Sequence, residues 1–326
     1  MFLPNEYVVL LRCLDKAVMG GGVLKKKCII CEKYKELSEF SLEHIIPEAL
    51  GNKHLILREA VCKSCNILLG DKIDSELTNN ALAQMYRQLN KLPGKKGKIP
   101  NPFSKGVTAD GRPISVNENF KPHLLKTEIN IHEIDETSAK IHVAGGNFDE
   151  MIKAVNKKFK RMGKPILSDD AIEKVREICN IKQELPEISY SFEIDVNKIK
   201  LAALKIAYEV GYLYYGERYL DDQTAKEIRA ILYDYIYHDK LIVELSEYVQ
   251  MFPKEGMPDM NGLRAHFLQS HQTSDGVVLA VLIDRIYFFG VRFLSNNEIA
   301  KPPIAEVFLY ENNDENEEGS LCNLKT

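Results

Sequence analysis

Four cysteines in two tight pairs, Cys28 and Cys31 in "CIIC" and Cys62 and Cys65 in "CKSC", carry the strongest chemical signal in the chain. A Cys-x-x-Cys turn brings two thiolates within reach of one tetrahedral ion, and two such turns complete the four-sulfur shell preferred by structural zinc. The chain has seven cysteines, and an odd number with four in close pairs is no secreted disulfide framework. Cys13, Cys179 and Cys322 stay unliganded in this reading. Between the pairs stands "SLEHIIPEALGN", residues 41–52, which sets Glu43 and His44 side by side. Near neutral pH an imidazole can take a proton from water, and a carboxylate can bind a hard divalent ion through oxygen. Asn66, directly after the second pair, offers another oxygen. Outside such a frame, Glu43 and His44 would read as polar residues at a strand end.

The elements that must position these groups follow from local pattern. A strand is expected over Ser41 to Ile46, stopped by Pro47, then a turn at Gly51-Asn52 and a second strand in "HLILREAV". After Cys65, apolar residues at Ile67, Ile73, Leu77, Leu82, Met85 and Leu89 predict a helix with Gly70 as its weak point. The order is strand, turn, strand, helix, pinned by zinc at its base.

Cys-x-x-Cys, then Glu-His-Ile-Ile-Pro-x-x-Leu-Gly, then Cys-x-x-Cys-Asn, spanning residues 28–77, resembles the HNH endonuclease family in its zinc-containing branch. The resemblance implies a ββα-metal nuclease fold with a structural zinc. It implies that His44 is the general base and that Glu43 and Asn66 are ligands of a catalytic magnesium or manganese ion. It also implies phosphodiester hydrolysis leaving a 5′-phosphate and a 3′-hydroxyl. Many members have an asparagine orienting the histidine loop where this chain has Leu57; Asn52, His54 or backbone carbonyls are the alternatives. Asp74, eight residues beyond Asn66, is a candidate third acidic ligand, or else a solvated or capping residue.

The 326 residues, 45% hydrophobic and 28% charged, are enough for two domains with a buried core. The net charge of −4 leaves any nucleic-acid face to local charge distribution. The N-terminal apolar run is interrupted by Glu6, Arg12 and Asp15, so a cytoplasmic protein without membrane contact is expected. Expected boundaries are a nuclease domain at 1–90, a basic Pro/Gly linker at 91–102, an α+β recognition or regulatory domain at 103–310 and an acidic disordered tail at 311–326. The fold class is thus α+β. Between Leu77 and Ala109 every charged residue is basic, including Arg87, and Lys95, Lys96 and Lys98 of the linker are candidates to neutralise nucleic-acid phosphates.

The helix expected in "NFDEMIKAVNKKFKRMGK" docks through Phe148, Ile152, Val155 and Phe159 and turns Lys153, Lys157, Lys158, Lys160 and Arg161 outward, a phosphate-tracking face. Tyr208, Tyr212, Tyr215 and Tyr219 form a stripe on a helix apolar nearly all round, which belongs in a core. Histidines 123, 132, 142, 238, 266 and 271 have no chemical frame and read as structural or surface residues. The leading function is a metal-dependent endonuclease cutting DNA, in a prokaryotic restriction or anti-phage setting, with a homodimer or a defence-system partner as a further expectation. RNA cleavage and a non-catalytic zinc module that binds nucleic acid or protein are the alternatives.

Overall fold

The computed structural model describes residues 25–94, 96–134, 139–180, 186–253 and 264–309. Lys95 and the acidic tail lie outside the described residues. The described elements mix helices and antiparallel strands, as an α+β chain requires.

The N-terminal module is built from short pieces. Strands β1 (Lys25–Lys27) and β2 (Tyr34–Glu36) form a hairpin around the first cysteine pair. Strands β3 (Glu43–His44) and β4 (Ile56–Leu57) pair antiparallel, Glu43 opposite Leu57 and His44 opposite Ile56. Both are shorter than the sequence predicts. A short 3₁₀ turn, Glu48–Leu50, follows Pro47 and ends at Gly51 with φ 92°, a left-handed conformation natural to glycine.

Helix α1 (Lys63–Leu69) begins on Cys62. Gly70 does not break the run: a π-helical turn, Gly70–Asp74, carries the backbone into α2 (Ser75–Asn79). The break comes instead at Asn80, whose extended backbone and side-chain acceptor for the Ala83 N–H start α3 (Ala81–Leu89).

Farther along, β5 (Gly106–Thr108), β6 (Pro113–Val116) and β7 (Pro122–Leu124) form a small sheet. Next come a hairpin of β8 (Glu128–Glu133) and β9 (Ala139–Ala144), then helices α4 (Phe148–Arg161) and α5 (Asp169–Ile178). Strand β10 (Ile188–Ser189) returns to pair with β5.

Three helices then lead to the large sheet: α6 (Val196–Tyr215), α7 (Glu217–Leu220) and α8 (Gln223–His238). The sheet holds β11 (Val249–Met251), β12 (Ala265–Thr273), β13 (Gly276–Ile283), β14 (Tyr287–Leu294) and β15 (Ala305–Leu309), in the order β11-β14-β13-β12-β15 with every pair antiparallel.

Helix α6 sits at the centre. Of the predicted stripe, Tyr208 and Tyr215 on α6 are buried and Tyr212 is half-buried, while Tyr219, also buried, lies on α7 beyond the break at Gly216. The buried cluster is continuous from Cys28, Ile45 and Leu69 of the N-terminal module through Ile199, Leu204 and Tyr208 to Leu279 and Phe289 of the sheet. The segments on either side of residue 100 therefore share one core. No helix among the described residues is long and apolar enough to cross a membrane.

Candidate active site and zinc centre

The four paired cysteines converge. Their Sγ atoms all lie within 4.8 Å of one another, and Cys31 Sγ stands 3.9 Å from Cys62 Sγ. A tetrahedron with Zn–S bonds of about 2.3 Å has edges of roughly 3.8 Å, so the sulfur cage has the size Zn²⁺ needs. Both cysteine turns are built for it. Cys28 O accepts from the Glu32 N–H, and Glu32 takes a left-handed φ of 56° that closes the first turn. Cys62 N–H donates to Cys28 Sγ at 3.4 Å, a bond that favours the thiolate.

The thiols also influence one another. A hydrogen bond with Cys65 is the main reason the Cys28 thiol falls to about 5, while burial is the main reason Cys31 is pushed up to about 11. The same bond to Cys28, reinforced by burial, raises Cys65. A dication in the cage lets four such sulfurs ionise together. Tyr237 of α8 supplies a hydroxyl 3.3 Å from Cys65 Sγ, and Ser64 one 3.2 Å from Cys62 Sγ.

The loop between β3 and β4 rises from this base. Asn52, 2% exposed, organises it: its amide nitrogen donates to the carbonyls of Ile46 (2.6 Å) and Leu55 (3.1 Å). Its oxygen accepts from the N–H groups of His54 (3.1 Å) and Leu55 (2.9 Å). Of the alternatives to an asparagine at position 57, the side chain that spans the loop is thus Asn52; that of His54 is exposed and Leu57 is buried.

The sequence match decides the identity of this segment: residues 28–82 match the model of the HNH endonuclease family. These residues form an HNH endonuclease domain. Membership implies nuclease activity, hence phosphodiester hydrolysis on a nucleic acid. Comparison of the chain with curated proteins and with solved structures gives no match.

Within the HNH domain, His44 and Glu43 point apart, as alternation along a strand requires. His44 is half-buried, and among the described residues its ring nitrogens make no hydrogen bond or ion pair. Asn66, one turn into α1, donates through Nδ2 to the carbonyl of Leu42 at 2.8 Å, which ties the helix to the residue preceding β3.

Glu43 is 2% exposed, and its Oε1 lies 2.5 Å from Nζ of Lys205 on α6. Asp74 joins Glu43 at the same ammonium, at 3.1 Å, and does not cap a helix with its side chain. Oxygen donors of the kind a hard divalent ion prefers are therefore present. Their placement differs from the sequence expectation, because Glu43 and Asp74 converge on Lys205, and among the described contacts Asn66 joins neither of them. A chain-borne cation already neutralises Glu43, so this arrangement does not fit a divalent ion shared by Glu43 and Asn66.

The expected nucleic-acid contacts divide. Lys96, Lys98, Lys153, Lys157, Lys160 and Arg161 are exposed. Lys158 is corrected: it turns back to donate to the carbonyl of Ile129 in the β8–β9 hairpin. Arg87 is buried and donates to the carbonyl of Thr78 at 3.1 Å, so it supports the junction of α2 and α3. Val155 is the buried anchor of α4, with Phe148, Ile152 and Phe159 half-buried.

Three contributors from the C-terminal half escape a reading of the motif alone: Lys205, Tyr208, whose hydroxyl donates to Ile29 O at 2.7 Å, and Tyr237. A signal for Lys205 is present. It and Glu209, four residues on, are charges set into "LAALKIAYEV", an otherwise apolar stretch.

Proposed function

We propose that this chain is an endonuclease that hydrolyses DNA, with His44 as the general base that takes the proton from the attacking water. The observation that carries the reading is the placement of His44: an imidazole partly open to solvent, on a strand fixed by Asn52 from one side and by the zinc base from the other. A base needs an open nitrogen and a fixed backbone, and this ring has both. Asn66, bonded to the residue two before His44, keeps the start of α1 against the same strand. The exposed lysines of α4, together with Lys96 and Lys98, suit the phosphate backbone, giving the C-terminal region a part in target binding.

Plasmid nicking tests this on the native chain and on His44→Ala, each with magnesium, with manganese and with EDTA. Native cutting that is lost in His44→Ala supports the reading, and the EDTA arm reads the divalent-ion requirement implied by the family. Cutting confined to RNA moves the substrate class. Binding without cutting by either protein makes the chain a non-catalytic zinc module. A restriction or anti-phage role in a prokaryotic cytoplasm extends the proposal; lower phage plating on cells with the native chain than on cells with His44→Ala tests it.

A further inference from the structure

Lys205 reaches the catalytic strand from the far half of the sequence. It lies on α6 and is fully buried. Its Nζ stands 2.5 Å from Glu43 Oε1, 3.1 Å from Asp74 Oδ2 and 3.4 Å from Glu209 Oε2. It also donates to the carbonyls of His44, at 3.0 Å, and Ile45, at 3.5 Å. Three consecutive residues, Glu43, His44 and Ile45, thus meet one ammonium.

Burying a charge of this kind is costly, and an apolar side chain of the same volume serves a purely structural helix as well or better. Burial works against the charge, but Asp74, Glu209 and Glu43 together outweigh it and keep the lysine protonated. What the cation adds is definition of the strand. β3 pairs with β4 over two residues only, too few to fix its position alone.

We propose that Lys205 is a positioning residue of the nuclease: its ammonium clamps the Glu43 carboxylate and the His44 and Ile45 carbonyls, and thereby sets where the His44 ring meets its substrate. The inference rests on the nuclease reading above. It gives α6 a task beyond packing, because the C-terminal region then supplies part of the active-site geometry. Glu209 pairs with Lys205 but hydrogen-bonds no group of the strand, and Glu43 and Asp74 still hold the ammonium without it, so it serves as the internal control.

The experiment uses the full-length, zinc-loaded chain as Lys205→Met and Glu209→Gln. Zinc content and thermal melting establish that each is folded, and kcat and KM for nicking supercoiled plasmid are then measured below both melting points. A displacement of about 1 Å at a reacting group costs on the order of 100-fold in rate, so Lys205→Met is expected to lower kcat by about that factor while KM stays near native. Glu209→Gln is expected to keep a native kcat.

A folded Lys205→Met with native kcat overturns the proposal, as does an equal loss in Glu209→Gln. A rise in activity at lower magnesium also overturns it, because Lys205 would then be a competitor for the ion. Where Lys205→Met does not fold, Lys205→Met/Glu209→Met, which replaces the helical ion pair by apolar side chains, is judged by the same kcat and KM criteria. A native chain that cuts nothing sinks the nuclease reading and this inference with it. Native cutting lost in His44→Ala but retained in folded Lys205→Met sinks the inference alone.

Discussion

Asn52→Ala is the sharpest structural perturbation available, because one buried side chain holds four backbone groups of the histidine loop. The amide spans Ile46 O and Leu55 O through its nitrogen and the N–H groups of His54 and Leu55 through its oxygen, at 2.6–3.1 Å. Each hydrogen bond contributes about 1 kcal/mol net, and a buried backbone group left without a partner costs about 1–3 kcal/mol. Several of the four groups are enclosed, so the loss comes to roughly 3–6 kcal/mol. That is a large share of the stability of an ordinary domain and lowers the melting temperature by on the order of 10 °C.

Asn52→Asp separates the two halves of the arrangement. It keeps the acceptor for His54 and Leu55 but turns a carboxylate oxygen toward two carbonyls. At neutral pH it is expected to be as damaging as alanine, and near pH 4 to recover part of the loss, when the protonated acid can donate one bond. Thermal melting of the native, Ala and Asp proteins at pH 7 and near pH 4 reads this directly. A melting temperature for Asn52→Ala within about 2 °C of native, no more than a single lost bond gives in a chain of this size, refutes the assignment of Asn52 as organiser of the loop.

Other consequences are as specific. Cys65→Ala is expected to abolish stoichiometric zinc and unfold the HNH domain, since a structural zinc contributes on the order of 10 kcal/mol in small zinc modules at neutral pH; metal analysis and circular dichroism check it. His266 is buried, and its burial, with Arg264 adding to the effect, holds its pKa down at about 3. Its folded value lies below the usual one near 6.5, so the stability it contributes is full above that pH and falls by up to about 1.4 kcal/mol per unit as pH drops from 6.5 toward 3. Urea unfolding between pH 7.5 and 5 measures the slope, which His266→Phe is expected to reduce. A Cβ on Gly211 would sit 2.3 Å from Cζ of the fully buried Tyr219. Gly211→Ala is therefore expected to cost about 1–3 kcal/mol by overpacking, read as a lower urea midpoint.

Local signals were legible in the sequence and long-range ones were not. The cysteine spacing pointed to one four-sulfur cluster, and the apolar spacing of Phe148, Ile152, Val155 and Phe159 pointed to helix α4, because each is a property of neighbouring residues. Gly70 read as a weak point, yet a π-helical turn carries the backbone through it, while Asn80, whose side chain can replace the helical bond to Ala83, makes the real break. Lys158 read as outward with the other cations of α4, yet it stands three residues after the buried Val155, beside the docked face, and from there it reaches the hairpin. Glu43 read as a metal ligand, and nothing within its own segment reveals the cation it meets. Lys205 is more than 160 residues away, and only the packing of α6 brings it there.

That separation has a consequence for how the nuclease is held. The two-residue strand bearing His44 is fixed by groups of different origin: a metal cage closing the chain between Cys28 and Cys65, the Asn52 amide inside the loop, Asn66 from α1, and Lys205 from α6. The first three belong to the HNH domain. The fourth does not, nor do Tyr208 on Ile29 O, Tyr237 on Cys65, and Arg229, which donates to Ile30 O and pairs with Glu32 at 3.1 Å. Removing one partner from a buried ion pair costs about 3–5 kcal/mol, because the other charge stays behind without water, so Glu43 and Lys205 stabilise each other only while α6 is docked. The matched family segment is therefore one wall of a shared core, and its histidine strand is held in part by a helix that begins more than 110 residues after the match ends.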